Sequence, residues 1–217
     1  EYTAKLNINA EIGLDGNTNE VYLEFSNNPN AGGKGETGNT PTDKVIVFTY
    51  ELDTTKVDGE DNNTKLPNAE FKLRNSEGKW VTVDSAGKVT GWVEGEDNGS
   101  TLKSDEQGLF KVIGLDDGTY YLKETKAPDG YNELKNEIKI VITAATSNGQ
   151  NWDGTPTNAL TKLDVTAAGK AGTGKTDTGT AGITVENNKG ATLPETGGIG
   201  TTIFYVVGGI LVIGAAV

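Results

Sequence analysis

An amine, a carboxyl group and a carboxamide, carried by Lys56, Glu124 and Asn187, are the side chains of this sequence whose types together permit a covalent reaction. Burying a lone charge is costly, so a buried lysine tends to lose its proton and a buried glutamate to keep one. A neutral amine is a nucleophile, and a carboxylic acid polarises an amide and carries protons. If the three side chains share one interior, the Lys56 amine would therefore attack the side-chain amide of Asn187, release ammonia and leave an isopeptide bond.

The periodicity of three predicted strands directs these side chains inward. Residues at i, i+2 and i+4 of a β-strand share one face. Each of the three polar residues lies in phase with apolar residues at steps of two: Phe48, Tyr50 and Leu52, continued through Thr54, before Lys56; Tyr120 and Leu122 before Glu124; and Ile183 and Val185 before Asn187. The sequence thus predicts that the amine, the acid and the amide face a common core.

Two alternatives stay open at this point. Lysine is usually exposed, so Lys56 taken alone is more typical of a solvated strand end, and Glu124 taken alone of an ordinary edge carboxylate; the companion residues favour the inward position. A slip of the last strand by one residue would bring Asn188 inward in place of Asn187, but it would also expose Ile183 and Val185. We therefore prefer Asn187.

The elements that must position these residues are β-strands. Helical periodicity is nearly absent, and short runs rich in β-branched and aromatic residues alternate with turn pairs such as Asp117-Gly118 and Asp129-Gly130. The predicted strands span 21–25, 45–52, 71–73, 80–83, 109–113, 120–122, 138–142 and 183–185. Many short strands between regular turns predict an all-β, immunoglobulin-like Greek-key sandwich.

The composition of the chain divides it into three parts. Residues 1–42 have a strand pattern followed by a Gly/Asn/Thr-rich stretch, and are interpreted as the end of a preceding β-domain with its linker. Residues 43–190 form the main domain, and 191–217 the C-terminal segment. Within the main domain, 143–182 is rich in Gly, Thr and Ala, which predicts a mobile surface loop in which Leu160, Leu163 and Val165 at most fix one short strand.

Charge and residue types exclude several functions. A net charge of −12, with 31 acids against 19 bases, argues against a nucleic-acid surface. The sequence contains no Cys and no His, which removes disulfides, thiol nucleophiles and the commonest zinc ligand. We predict no metal site and no cofactor.

Two motifs look functional and are rejected. Residues 169–176 fit the phosphate-loop pattern GxxxxGK[ST], but that motif needs a helix after it, and a Gly/Thr-rich stretch follows. The acidic residues Asp58, Glu60 and Asp61 lack the spacing of a calcium loop, so we interpret them as a solvated turn.

The C-terminal segment carries a second site, made of Leu193, Pro194, Glu195, Thr196 and Gly197. It is followed by the uncharged, mostly apolar run 199–217, close to the roughly 20 residues that cross a bilayer as a helix. This arrangement resembles the cell-wall sorting signal of Gram-positive surface proteins. The resemblance implies that a sortase cleaves after Thr196 and transfers its carbonyl to an amine of the peptidoglycan or of a neighbouring subunit.

One feature of the sorting signal is missing. In the family a short cluster of Lys and Arg ends the signal and holds it in the membrane, whereas this sequence stops at Val217 and begins at Glu1 without Met. We expect the sequence to be a fragment of a longer protein, inserted in the membrane before sorting and displayed at the cell wall afterwards.

The main domain also resembles a known family. The segment 120–131, YYLKETKAPDGY, is similar to the E-box of Cna B-type domains in sortase-assembled pilins. The resemblance implies that Lys56 is the first-strand lysine, Glu124 the acid and Asn187 the last-strand asparagine of an intramolecular isopeptide bond. By the same likeness, Asn27 is the bonded asparagine of the preceding domain.

Together these resemblances imply a structural pilus subunit that is a substrate of sortase and not a turnover enzyme. Its expected partners are sortase, neighbouring pilin subunits and peptidoglycan. The rival hypothesis is a wall-anchored adhesin in which this domain is only the stalk below a ligand-binding head. Both hypotheses require the sorting signal and the cross-link.

Overall fold

The computed structural model describes residues 6–190 except 29, 31, 34, 148–153, 157 and 158. The described residues form sixteen strands and two short 3-10 helices, Gly13–Asp15 and Glu96–Asn98. The strands are β1 Asn17–Val21, β2 Glu24–Ser26, β3 Thr37–Asn39, β4 Asp43–Val47, β5 Tyr50–Asp58, β6 Glu70–Asn75, β7 Trp80–Val83, β8 Val89–Val93, β9 Leu102–Lys103, β10 Leu109–Leu115, β11 Gly118–Lys126, β12 Ile138–Thr146, β13 Leu160–Ala167, β14 Lys170–Ala171, β15 Thr173–Lys175 and β16 Thr180–Asn187.

Two sheets enclose the core. The smaller sheet has the order β10-β5-β16-β15, and the larger runs β14-β13-β12-β11-β6-β7-β8, with β9 paired to β6. Buried side chains from both sheets form one hydrophobic cluster, and Phe71 of β6 stacks on Phe110 of β10 with ring centroids 5.0 Å apart. The all-β sandwich predicted from strand alternation is confirmed.

The first and last strands of the main domain are neighbours in the smaller sheet. β5 and β16 pair in parallel, with Val185 opposite Lys56 and Asn187 opposite Asp58. All other strand pairs of the described residues are antiparallel. Because parallel strands run in the same direction, the carboxyl ends of β5 and β16 meet at one end of the sandwich.

The prediction of a mobile loop over 143–182 is wrong for most of that segment. β12 continues to Thr146, and β13 is a full strand of the larger sheet that buries Leu160, Leu163, Val165 and Ala167. The pairing skips Thr161, which bulges out and reverses the inward phase between Leu160 and Leu163. Because of this bulge, Leu160 and Leu163 are three positions apart, and the segment lacks the strict alternation from which a strand is predicted.

Glycines of the same segment permit close packing. A Cβ built at Gly174 would overlap the carbonyl oxygen of Leu163, and one at Gly172 would overlap the carbonyl oxygen of Gly182. Residues 169–176, which matched the phosphate-loop letters, form β14 and β15, and β16 follows them instead of a helix. At Gly172 and Gly174, therefore, glycine reflects tight backbone contacts between strands.

Two predicted strands are each divided in the structure. The predicted strand 45–52 is divided into β4 and β5, with Thr49 between the two strands. Thr49 is bound instead by the segment around the first 3-10 helix. Gly13 N–H donates to Thr49 O (3.2 Å), and Thr49 Oγ1 donates to Glu11 O (3.0 Å). The prediction 21–25 is shared between β1 and β2.

The N-terminal part makes small separate sheets. β1 pairs with β4, and β2 pairs with β3. Val21, Leu23 and Phe25 are 54%, 64% and 46% exposed. The division at residue 42 remains a prediction, and the β1–β4 pairing ties residues 43–47 to the N-terminal part.

The sorting motif and the apolar run lie in 191–217, outside the described residues. Within 6–190, at the positions that the structure describes, no helix has the length and apolar character needed to span a bilayer.

Candidate functional site

The structure brings Lys56, Glu124 and Asn187 together between the two sheets. Lys56 Nζ donates to Asn187 Oδ1 at 2.5 Å, and Asn187 Nδ2 donates to both carboxyl oxygens of Glu124 at 2.9 Å. Lys56 Nζ lies 4.0 Å from Glu124 Oε1 and also donates to the carbonyl of Val185 at 3.2 Å. The amine and the acid thus approach the same carboxamide from its oxygen and nitrogen ends.

Strand geometry positions each of the three side chains. Lys56 and Asn187 extend from the carboxyl ends of the parallel pair β5 and β16, whereas Glu124 comes from β11 in the facing sheet. Immediately after Glu124, the β11–β6 register shifts at Thr125, so the bulge lies directly beside the acid. Bulges commonly redirect a strand beside a functional site.

All three side chains are sealed from solvent. Lys56 and Asn187 are 0% exposed and Glu124 is 1% exposed. Phe71, opposite Glu124 on β6, and Phe110, opposite Thr54 on β10, are also buried. The inward phase predicted from strand alternation is therefore confirmed for all three positions.

Burial changes the acid–base chemistry of the amine. It lowers the pKa of Lys56 from 10.5 to about 8, although the negative charges of Glu124 and Glu186 act in the opposite direction. A lysine with a pKa near 8 has a substantial neutral fraction at neutral to mildly alkaline pH, which favours nucleophilic attack.

The structure separates the two candidate asparagines of the last strand. Ile183 and Val185 are buried together with Asn187, whereas Asn188 is exposed and lies against Gly59. A slip by one residue would reverse this pattern, so the register predicted from the sequence is confirmed.

Asn27 has a different environment. It is exposed after β2, its backbone N–H donates to Glu36 O (2.8 Å), and its side chain lies against Gly38. The structure does not bring it to the buried Lys56 site, and its role as a second cross-linking residue remains a prediction.

Two backbone groups complete the site and were not predicted from the sequence. Asn187 Nδ2 also donates to the carbonyl of Asn132 at 2.9 Å, and the N–H of Leu134 donates to Glu124 Oε2 at 2.7 Å. Both groups belong to loop 127–137, which connects β11 to β12. Backbone groups leave no residue-type signal, although the turn pair Asp129-Gly130 marked the loop itself.

The acidic turn near Lys56 is ordered by hydrogen bonds. Asp58 is buried rather than solvated, so our interpretation of the cluster is wrong for this residue. Its carboxylate accepts hydrogen bonds from the N–H of Glu60 and the hydroxyl of Tyr131, and pairs with Lys189. Among the residues that the structure describes, no cluster of acidic side chains is arranged to hold a metal ion.

Family models match both parts of the chain that the sequence analysis singled out. The SpaA model, described as a prealbumin-like fold domain, matches residues 50–155, which include Lys56 and Glu124. The model of the LPXTG cell wall anchor motif matches 185–217, which includes Asn187 and Thr196. The second match places the protein at the cell wall.

Relatives of known identity agree with these matches. The trypsin-resistant surface T6 protein of Streptococcus pyogenes serotype M6 is 28% identical over 266 aligned residues, covering 99% of this chain and 46% of the T6 protein. The crystal structure of the group B streptococcus pilus 2b backbone protein is similar with 29% identity and a TM-score of 0.51, over 73% of this chain and 50% of that one.

A third likeness concerns the fold alone. The T6 backbone pilin of serotype M6 Streptococcus pyogenes superposes with a TM-score of 0.52 at 19% identity, over 86% of this chain and 46% of that structure. The chain thus spans about half the length of the relatives it matches. The chain thus carries a match to the SpaA-type domain and one to the LPXTG anchor motif, and it is similar to streptococcal pilus backbone proteins.

Proposed function

We propose that this chain is a structural subunit of a cell-surface pilus, stiffened by an isopeptide bond between Lys56 and Asn187 and joined to its neighbours or to the wall through Thr196. The observation that carries the proposal is the buried contact of Lys56 Nζ with the Asn187 carboxamide, with Glu124 on the amide nitrogen. Its similarity to pilus backbone proteins supports the structural role.

The reaction is an amide exchange that needs no external reagent. The neutral Lys56 Nζ attacks Asn187 Cγ, and the new C–N bond forms as the bond from Cγ to Nδ2 breaks. Glu124 relays one proton from Nζ to Nδ2, and Nδ2 leaves as ammonia. Glu124 ends unchanged, and one turnover consumes both partners.

The position of the bond suits a mechanical role. Lys56 and Asn187 are 131 positions apart in sequence yet lie on adjacent parallel strands. Tension that enters along β5 and leaves along β16 would pass through the covalent link, bypassing the intervening strands. The sandwich could then carry load without separation of its sheets.

The polymerisation step is assigned to the sorting motif. A sortase thiolate would attack the Thr196 carbonyl, expel the segment that begins at Gly197, and transfer the acyl group to an amine of peptidoglycan or a neighbouring subunit. The match to the LPXTG anchor model supports this assignment. Incubation of the chain with sortase and an amine should yield a product linked at Thr196, whereas an uncleaved motif would argue against it.

Intact mass tests the internal bond. The wild-type chain should be lighter than its sequence mass by one ammonia, and Glu124→Ala should restore the full mass in a folded but less heat-stable protein. Glu77→Ala is the matched control and should show the same ammonia loss as the wild type, because Glu77 pairs with Lys79 at the exposed turn between β6 and β7. A wild-type chain of full sequence mass would refute the proposed cross-link.

A further inference from the structure

Loop 127–137 lies against the reacting groups of the proposed site. Its Asn132 carbonyl accepts from the Asn187 amide, and its Leu134 N–H donates to Glu124. The loop therefore contacts both the leaving nitrogen and the acid. Since small displacements of reacting groups slow a reaction strongly, what fixes this loop affects the reaction rate.

Hydrogen bonds join the loop to the residues just after Asn187. Asn132 N–H donates to Asn188 O at 3.0 Å, and Gly190 N–H donates to Gly130 O at 2.9 Å. Between them, Tyr131 and Lys189 form an antiparallel bridge. The chain that leaves β16 toward the sorting motif is thus paired with the loop that completes the site.

A buried carboxylate joins this pairing to β5. Among the described residues, Lys56, Asp58 and Glu124 are the buried charged side chains, and the proposed reaction uses all of them except Asp58. Asp58 Oδ2 accepts from the Tyr131 hydroxyl at 2.8 Å and lies 3.0 Å from Lys189 Nζ. The N–H of Glu60, the Tyr131 hydroxyl and Lys189 together lower the pKa of Asp58 to about 2, so it stays ionised.

The spacing of this cluster matches the spacing of the site. Asp58 lies two residues after Lys56, and Lys189 lies two residues after Asn187, on the parallel strand end. Tyr131 comes from the loop that contacts Glu124. Each element that supplies a reacting group therefore also supplies, directly or through its following loop, one member of a second cluster next to the first.

We propose that Asp58, Tyr131 and Lys189 form a latch whose members act as positioning residues: they hold loop 127–137 against the end of β16 and so set the rate of isopeptide formation. The inference depends on the proposed cross-link between Lys56 and Asn187. In this proposal the latch aligns the Asn187 amide through the carbonyl of Asn132. It aligns the Glu124 carboxyl group through the N–H of Leu134.

The test measures the rate of ammonia loss in the full chain made by pulsed cell-free synthesis and followed by intact mass. Tyr131→Phe removes the hydroxyl that Asp58 accepts, and should slow the reaction roughly tenfold. Tyr121→Phe is the matched control, because Tyr121 packs under Arg74 on the sheet surface, and it should react at the wild-type rate. Lys189→Ala should also slow the reaction, and Lys189→Arg, which keeps the charge, should restore it.

A pH profile separates positioning from a loss of stability. Lys56 faces Glu124 across 4.0 Å and is influenced by Glu186, and its pKa of about 8 should set the midpoint at which the wild-type rate rises. In Tyr131→Phe the plateau rate should fall while the midpoint stays in place, at a temperature where tryptophan fluorescence shows the variant fully folded.

Three results are decisive. A wild-type chain that never loses ammonia would refute the cross-link itself and, with it, the latch. A wild-type chain that reacts at the same rate as Tyr131→Phe would refute only the latch. If Tyr131→Phe reacts slowly only under conditions where it is partly unfolded, and reacts at the wild-type rate where it is fully folded, the positioning role is also overturned. The latch would then have a purely structural role.

Discussion

Asn187, the last residue of β16, and Asn27, the residue just after β2, follow the same sequence pattern but lie in opposite environments. Asn187 follows Ile183 and Val185, which are 3% and 2% exposed, and it is enclosed with Lys56 and Glu124. Asn27 follows Leu23 and Phe25, which remain largely exposed, and is itself exposed.

The difference lies in what covers each strand. The apolar face of β16 packs against the larger sheet, which also supplies Glu124, whereas no second sheet of the described residues covers β2. Alternation therefore predicts the direction in which a side chain points, but a facing layer is needed to bury it. A cross-linking asparagine requires both conditions.

The largest expected difference between the two asparagines is in thermal stability. Asn187→Ala should abolish ammonia loss and, by analogy with the loop entropy of a disulfide, cost roughly 4–5 kcal/mol. In a chain of this size that lowers the melting temperature by on the order of 10 °C. Asn27→Ala should change neither mass nor melting temperature, as measured by intact mass and calorimetry. Equal effects of the two substitutions would contradict the distinction.

A second comparison uses leucines from the same two regions. Leu163 is buried in β13, so Leu163→Ala should cost about 3 kcal/mol in denaturant unfolding. Leu23 is 64% exposed, and Leu23→Ala should change stability by less than about 0.5 kcal/mol. If Leu163→Ala were as mild as Leu23→Ala, β13 would not belong to the core.

A smaller effect should appear in the pH dependence of stability. In Asn187→Ala the Lys56 amine stays free, with a folded-state pKa of about 8 against 10.5 when unfolded. Between these values the unfolded chain binds more protons, so stability should rise with pH, by roughly 2 kcal/mol up to about pH 10. Above that range, ionisation of tyrosines such as Tyr50, whose pKa is raised to about 12 by burial, opposes the trend.

The wild-type chain provides the control for this titration. Its Lys56 nitrogen would be an amide and would not titrate, so urea unfolding between about pH 8 and pH 10 should lack the rise that Lys56 produces. An equal rise in both chains would mean that the wild-type amine is still free.

The parts of the molecule that were predictable from sequence are those with uninterrupted alternation. β11 and β16 keep a strict period of two, which places Glu124 and Asn187 inward in the right register. β13 was missed because the bulge at Thr161 breaks that period, and because close backbone packing at Gly172 and Gly174 resembles loop composition.

The site was only partly predictable for a different reason. Residue types and phase indicate the amine, the acid and the amide, but backbone groups such as the Asn132 carbonyl have no identity in a sequence. The burial of Asp58 likewise depends on Tyr131 and Lys189, which are distant in sequence and meet only through the parallel pairing of β5 and β16.

The most direct test of the central claim is tandem mass spectrometry of a proteolytic digest of the wild-type chain. The account predicts one branched peptide, lighter by one ammonia than its two linear components, with fragment ions that place the branch between Lys56 and Asn187. Separate linear peptides containing an unmodified Lys56 and Asn187, or a branch at Asn188 or at another lysine, would contradict it.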